Sequence, residues 1–129
     1  MKILVVDDDR SILEYYKHKL RNVGIVDVIS ASNGREALDV LEKNQDIFLV
    51  LSDICMPVMS GLEFCKEVKK KREDLIFFLL SSKLSLSPRE VLDIGADYFF
   101  VKHSSIEDEL FKIVVKYFLR AHEHSQALA

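Results

Sequence analysis

Cysteine occurs only twice in the 129 residues, as Cys55 and Cys65. Two are too few for a disulfide framework and point to a reducing compartment. Long apolar runs are missing too: stretches such as "LIFFLL" (75–80) fall far short of what a bilayer span requires. The start "MKILVVDDD" has no signal-peptide pattern, because acids follow the apolar residues at once. Neither sign of charge dominates, since 18 Lys and Arg stand against 21 Asp and Glu for a net charge of -3. That balance gives no footprint for broad nucleic-acid binding. The run Lys69-Lys70-Lys71-Arg72 is local and reads as a solvated helix end. No internal repeat, low-complexity tract or linker interrupts the chain before about residue 120. These absences predict a cytoplasmic protein that contacts neither membrane nor nucleic acid directly.

What is present is the composition of a folded chain, 49% hydrophobic and 30% charged. The length suits one domain, read as 1–120, with 121–129 as a tail or the start of a linker. Four short apolar runs, "ILVV" (3–6), "IFLVL" (47–51), "LIFFLL" (75–80) and "YFFV" (98–101), do not alternate with polar residues. Such runs mark strands covered on both faces, as in a parallel sheet. "VDVISA" (26–31) is a weaker strand suited to an edge.

Segments with helical spacing lie between the strands. Ile12, Tyr16, Leu20 and Val23 share one face, with Gly24 as a stop. Ala37, Leu38 and Leu41 do so over 35–44, and Leu62, Phe64, Cys65 and Val68 over 61–72. "SPRE" (87–90) combines an N-cap serine, a proline at the first helical position and a glutamate at N3, so a helix should run to Gly95. "SSIEDEL" (104–110) opens the last helix, whose inner face is expected at Leu110, Ile113, Val114, Tyr117 and Phe118. A second apolar row there, Phe111, Val115 and Leu119, suggests a partner or homodimer surface. Strand and helix thus alternate five times, the pattern of an open α/β sheet with helices on both faces.

In such a sheet the ligand crevice lies at the carboxyl ends of the strands. Asp7 and Asp8 follow the first strand, Asp53 the third, Ser81 the fourth and Lys102 the fifth. Aspartates after strands are common turn residues and helix caps, and that reading suffices for Asp7 taken alone. The whole set is different. Two unit charges 4 Å apart repel by about 4 kcal/mol at an effective dielectric near 20, so converging carboxylates call for a cation. Oxygen ligands from Asp8, Asp53 and a backbone carbonyl, completed by water, suit Mg²⁺. Asp53 can then act as a nucleophile toward a phosphoryl group, with Lys102 and Ser81 as donors to its charge.

The motifs "ILVVDDD", "LVLSDICMPVMSGLEF", "FFLLSS" and "GADYFFVKH", in this order and spacing, resemble the receiver domain of two-component response regulators over residues 1 to about 120. The resemblance implies a flavodoxin-like, doubly wound sheet of five parallel strands, order 2-1-3-4-5, with five helices. It implies a phosphorylation-dependent switch rather than an enzyme, one that catalyses only its own phosphoryl transfer and dephosphorylation. By position, Asp53 resembles the phosphoacceptor for a sensor histidine kinase or phosphotransfer protein. Asp8 matches a direct Mg²⁺ ligand, Asp7 the acid that holds the metal through water, and Cys55 the residue whose backbone carbonyl completes the shell. The Cys55 thiol is a poorer candidate, because Mg²⁺ prefers oxygen. Ser81 matches the switch hydroxyl and Lys102 the lysine that pairs with phosphoryl oxygens. Phe99 falls at the aromatic switch position, although a core role would also explain it. Output to a downstream effector domain or partner would leave through the fourth helix, fifth strand and fifth helix.

Two departures stand out. The family's proline after the lysine is replaced by His103, and its usual alanine after the switch hydroxyl by Ser82. A cis Lys102–His103 bond would cost roughly 3–4 kcal/mol. Rival readings are a haloacid-dehalogenase-type phosphatase, whose general acid two residues after the nucleophile is here Cys55, and a receiver-like binding module that is never phosphorylated. A flavodoxin-like electron carrier is conceivable on fold alone, but "DDDRS" would repel a flavin phosphate.

Overall fold

A computed structural model describes residues 1–82, 86–102 and 107–128, the side chains of 88, 92, 107 and 124–128 excepted. Strands and helices alternate as β1 (Lys2–Val6), α1 (Arg10–Asn22), β2 (Val28–Ala31), α2 (Gly34–Lys43), β3 (Ile47–Asp53), α3 (Gly61–Lys71), β4 (Ile76–Ser81), α4 (Pro88–Ile94), β5 (Tyr98–Val101) and α5 (Glu107–Leu128). The strands form one parallel sheet in the order β2-β1-β3-β4-β5, the expected topology.

Both faces of the sheet are covered, which is why its strands are continuously apolar. Leu4, Val6, Val50, Phe77 and Leu79 point toward Ala37, Leu41, Phe64 and Val68 of α2 and α3. Ile3, Val5, Leu51, Phe78 and Leu80 point the other way, toward Tyr16, Leu20, Leu110 and Val114 of α1 and α5. Each large side chain so buried stabilises the fold by about 1.5–3 kcal/mol relative to exposure.

Helix starts are set by local polar chemistry. Asp9, Asn33 and Ser60 cap α1, α2 and α3, accepting backbone N–H bonds from Ser11, Glu36 and Glu63. Ser87 accepts from the Glu90 N–H at 3.2 Å, and its hydroxyl donates to the Glu90 carboxylate at 3.2 Å, so the cap read from "SPRE" is formed. Gly24 follows α1 at φ 92°, as the stop signal required.

Several expectations are corrected. The buried stripe of α1 is Leu13, Tyr16 and Leu20, while Val23 lies beyond the helix and is 45% exposed. Strand β2 begins at Val28, leaving Val26 exposed in the preceding loop. Strands β3 and β4 run on to Asp53 and Ser81, so both end inside the sheet rather than in the loop after it. Phe111 does not join an outer row on α5. It is buried, its ring 5.9 Å from that of Tyr16, whereas Leu119 is exposed. The Lys102–His103 bond and the expected helix start at 104 lie outside the described residues.

Candidate functional site

The carboxyl ends of β1, β3, β4 and β5 meet at one rim. Asp7 continues β1, its N–H bonded to the Ala31 carbonyl at 3.1 Å. Asp53 is the last residue of β3 and stands opposite Leu80 of β4. Ser81 ends β4 opposite Val101, and its carbonyl accepts the Lys102 N–H at 2.7 Å. The sheet register therefore decides the neighbours. It brings together side chains that are far apart in the chain.

Carboxylate oxygens of Asp7, Asp8 and Asp53 all lie within 4.8 Å of one another. Asp7 and Asp53 are buried, whereas Asp8 is exposed. Each buried carboxylate has a local donor: Asp9 N–H to Asp7 Oδ1 at 2.9 Å, and Ile54 N–H to Asp53 Oδ1 at 2.9 Å. Lys102 reaches into the cluster from β5. Its Nζ lies 2.5 Å from Asp7 Oδ2 and 3.2 Å from Asp53 Oδ1, and its side chain is almost wholly buried.

Electrostatics follow from that geometry. Burial raises the pKa of Asp53 above the ordinary carboxylate value; Lys102 opposes the rise and the charge of Asp7 adds to it. Burial alone would lower the pKa of Lys102, but its bond to Asp7 and the charges of Asp7 and Asp53 outweigh it, so the net shift is upward. Asp9, exposed beside the site, is held below its usual range by the hydroxyl and N–H of Ser11. Three carboxylates face one ammonium, which leaves an excess of negative charge. A set of hard oxygen donors at this spacing fits a divalent cation of the Mg²⁺ type. The cluster contains no thiol among the described residues, and Cys55 is exposed. The thiol alternative for Cys55 thus finds no geometric support.

The loop after β3 holds Asp53 in place. Gly61 N–H donates to the Ile54 carbonyl at 2.9 Å, and a Cβ on Gly61 would meet the Asp53 carbonyl oxygen at 2.0 Å. Only glycine fits so close an approach. Within the same loop Met59 N–H bonds back to the Pro57 carbonyl at 2.7 Å, closing a γ-turn about Val58, whose φ is 68°. Val58 is also 82% exposed. The strained valine, the Gly61 contact and the cap at Asp9 were not singled out from sequence. The glycine and the "DDDRS" spacing carried a signal for two of them, but nothing flagged the valine.

Phe99 lies on the opposite face of β5 from Phe100. It is half-buried against the core beneath α3 and α4, paired in register with Leu79. Phe100, by contrast, belongs to the α1 and α5 side. Ser82 is exposed beside the site.

Comparison with known proteins agrees with this arrangement. Residues 3–115 match the response regulator receiver domain, and the chain belongs to that family. Response regulator MprA of Mycolicibacterium vanbaalenii is 38% identical over 111 residues, covering 85% of this chain and 47% of that protein. A chemotaxis protein CheY homolog of Campylobacter jejuni is 40% identical over 85 residues, 64% of this chain and 65% of the other. The chain spans about half the length of MprA. Among solved structures, the response regulator TrrA of Thermotoga maritima in complex with Mg²⁺-BeF superposes with a TM-score of 0.79 at 37% identity, covering 89% of this chain and 96% of that one. A complex of histidine kinase ThkA with TrrA gives 0.77 at 38% identity, with coverage of 89% and 96%. The molecule is thus a receiver domain of two-component response regulators, a class of signalling switch. Among its described residues no helix is long and apolar enough to cross a membrane.

Proposed function

We propose that this receiver domain takes a phosphoryl group onto Asp53 from the phosphohistidine of a sensor histidine kinase or phosphotransfer protein. The observation that carries this reading is the joint placement of Asp53, buried at a strand end, with Asp7, Asp8 and Lys102 around it. A carboxylate oxygen of Asp53 attacks phosphorus as the P–N bond breaks. The electron pair returns to the imidazole, which then takes a proton from solvent. Asp7, Asp8, Asp53 and the Cys55 carbonyl would hold Mg²⁺, which supplies charge neutralisation for the phosphoryl oxygens when bound. Lys102 leaves its carboxylate partners to pair with the transferred group, and the Ser81 hydroxyl donates a charge-assisted hydrogen bond to it. Slow hydrolysis of the acyl phosphate at the same site ends the signal.

Readout passes through the face of α4, β5 and α5 to an effector domain or partner protein. Phe99, half-buried beneath α4, is the side chain that changes packing when Ser81 moves inward. Self-association through α5 would rest on Val115 and Leu119, since Phe111 faces the core. Residues 1–120 form the receiver unit in this reading, with 121–129 as a tail or linker start. Two free thiols support a cytoplasmic setting.

Mg²⁺-dependent labelling with acetyl phosphate tests the reading. Wild type should label stoichiometrically and transiently, and Asp53→Asn not at all. Equal labelling of both would refute it. Sustained turnover of p-nitrophenyl phosphate would instead favour the phosphatase class, against which the exposed thiol at Cys55 already argues.

A further inference from the structure

Among the described residues, Asp7, Asp53 and Ser81 are buried polar side chains with a place in the proposed phosphoryl transfer. Ser52 is buried more deeply still, with none of its surface exposed, and that reaction does not use it. It follows the apolar run Ile47–Leu51 on β3, where a hydroxyl costs free energy unless it is hydrogen-bonded. Its Oγ donates to the Asp53 carbonyl at 3.0 Å. Successive strand residues point to opposite faces of the sheet. The hydroxyl therefore acts on the peptide group of Asp53 and not on its carboxylate.

That same peptide group holds the carboxylate. Its N–H, on Ile54, is divided between two acceptors, Asp53 Oδ1 at 2.9 Å and the Leu80 carbonyl at 3.0 Å. A peptide unit is planar, so tilting it turns the N–H toward one acceptor and away from the other. The carbonyl end of this plane is where Ser52 bonds, and where Gly61 packs so closely that a Cβ would meet the oxygen at 2.0 Å. We propose that Ser52 is a positioning residue for the phosphoacceptor: by holding the Asp53 carbonyl it keeps the Ile54 N–H on the carboxylate and so sets the direction from which Asp53 meets phosphorus. The inference rests on the Asp53 reading and adds what aims the acceptor. Lys102 also touches Oδ1, at 3.2 Å, but in that reading it leaves to pair with the transferred group. The Ile54 N–H stays, and Ser52 fixes it from behind. Small errors in the placement of a reacting atom are costly in rate.

Ser52→Ala tests this, because it removes the donor and adds no bulk. Acetyl-phosphate labelling with Mg²⁺ is measured against donor concentration in wild type and variant, with circular dichroism giving the folded fraction. Per folded molecule, the maximal labelling rate should fall about tenfold while the concentration giving half that rate stays the same. In metal-free protein, the Ile54 amide proton should move to lower chemical shift as its bond to Asp53 Oδ1 weakens. A hydroxyl that only satisfied itself would alter stability and leave both readouts unmoved. An unchanged maximal rate would overturn the inference, and so would a slower rate with the Ile54 resonance in its wild-type position. A wild type that takes no label would instead strike at the Asp53 reading, and this inference would fall with it.

Discussion

Lys102 lies closer to Asp7 than to Asp53, 2.5 Å against 3.2 Å, and is an internal cation that the two buried carboxylates share. A divalent ion at the cluster and this ammonium serve the same electrostatic need. Replacing Lys102 by methionine leaves two buried carboxylates without their partner, and breaking such a pair costs about 3–5 kcal/mol. In the absence of metal, Lys102→Met should lower the urea midpoint accordingly. A cation at a hundredfold its dissociation constant adds about 2.7 kcal/mol. The rise in melting temperature on adding Mg²⁺ should be larger in Lys102→Met than in wild type. A smaller rise would show that lysine and metal do not compensate the same charge.

The raised pKa of Asp53 gives a pH dependence of known sign. Its cause is burial first, with Lys102 opposing and Asp7 assisting. The folded state then holds a proton on Asp53 at pH values where the unfolded chain has lost it. Its stabilising contribution is full below the ordinary value of 3.8 and is lost as pH rises through the raised one. Without metal, the denaturation midpoint of wild type relative to Asp53→Asn should fall across that window. Lys102 acts with the same sign at the alkaline end. Its contribution is complete below the ordinary value of 10.5 and lost above it, as pH passes the folded value.

Gly61→Ala should damage site and fold together. The added Cβ would lie 2.0 Å from the Asp53 carbonyl oxygen, a backbone atom that cannot rotate away. Overpacking of this kind costs about 1–3 kcal/mol. Because the displaced atom belongs to Asp53, acetyl-phosphate labelling should fall by more than the loss of folded protein explains. Calibrating labelling against circular dichroism separates the two.

Val58 should respond in the opposite sense. A β-branched residue at φ 68° stores about 1–3 kcal/mol of strain. Asparagine tolerates this region through its short polar side chain. Val58→Asn should therefore raise stability by about 1 kcal/mol, read as an upward shift in urea midpoint at constant slope. No gain would mean that the loop relaxes around valine.

Strand order and the carboxylate rim were legible because continuous apolar runs and lone acids at their ends are one-dimensional signals. The faces of individual helices were less so. Spacing alone put Val23 on the inner face of α1 and left out Leu13, but the helix ends at Asn22, and Leu13 is buried beside a partly buried Ile12. Phe111 looked like part of an outer row until its contact with Tyr16, nearly a hundred positions earlier, turned it inward. Such pairings depend on how two helices rotate against a shared sheet, and no periodicity within either records that. The same applies within the site. That Lys102 would meet Asp53 followed from strand order, but its closer approach to Asp7 depends on side-chain reach across β3.

The residues that meet at the rim arrive in translation order with Lys102 last, 95 positions after Asp7. A nascent polypeptide thus exposes its aspartates well before the ammonium that neutralises them has been made, and before β5 can seal the sheet. The acidic rim is complete only once the fifth strand has joined the sheet and brought its lysine with it.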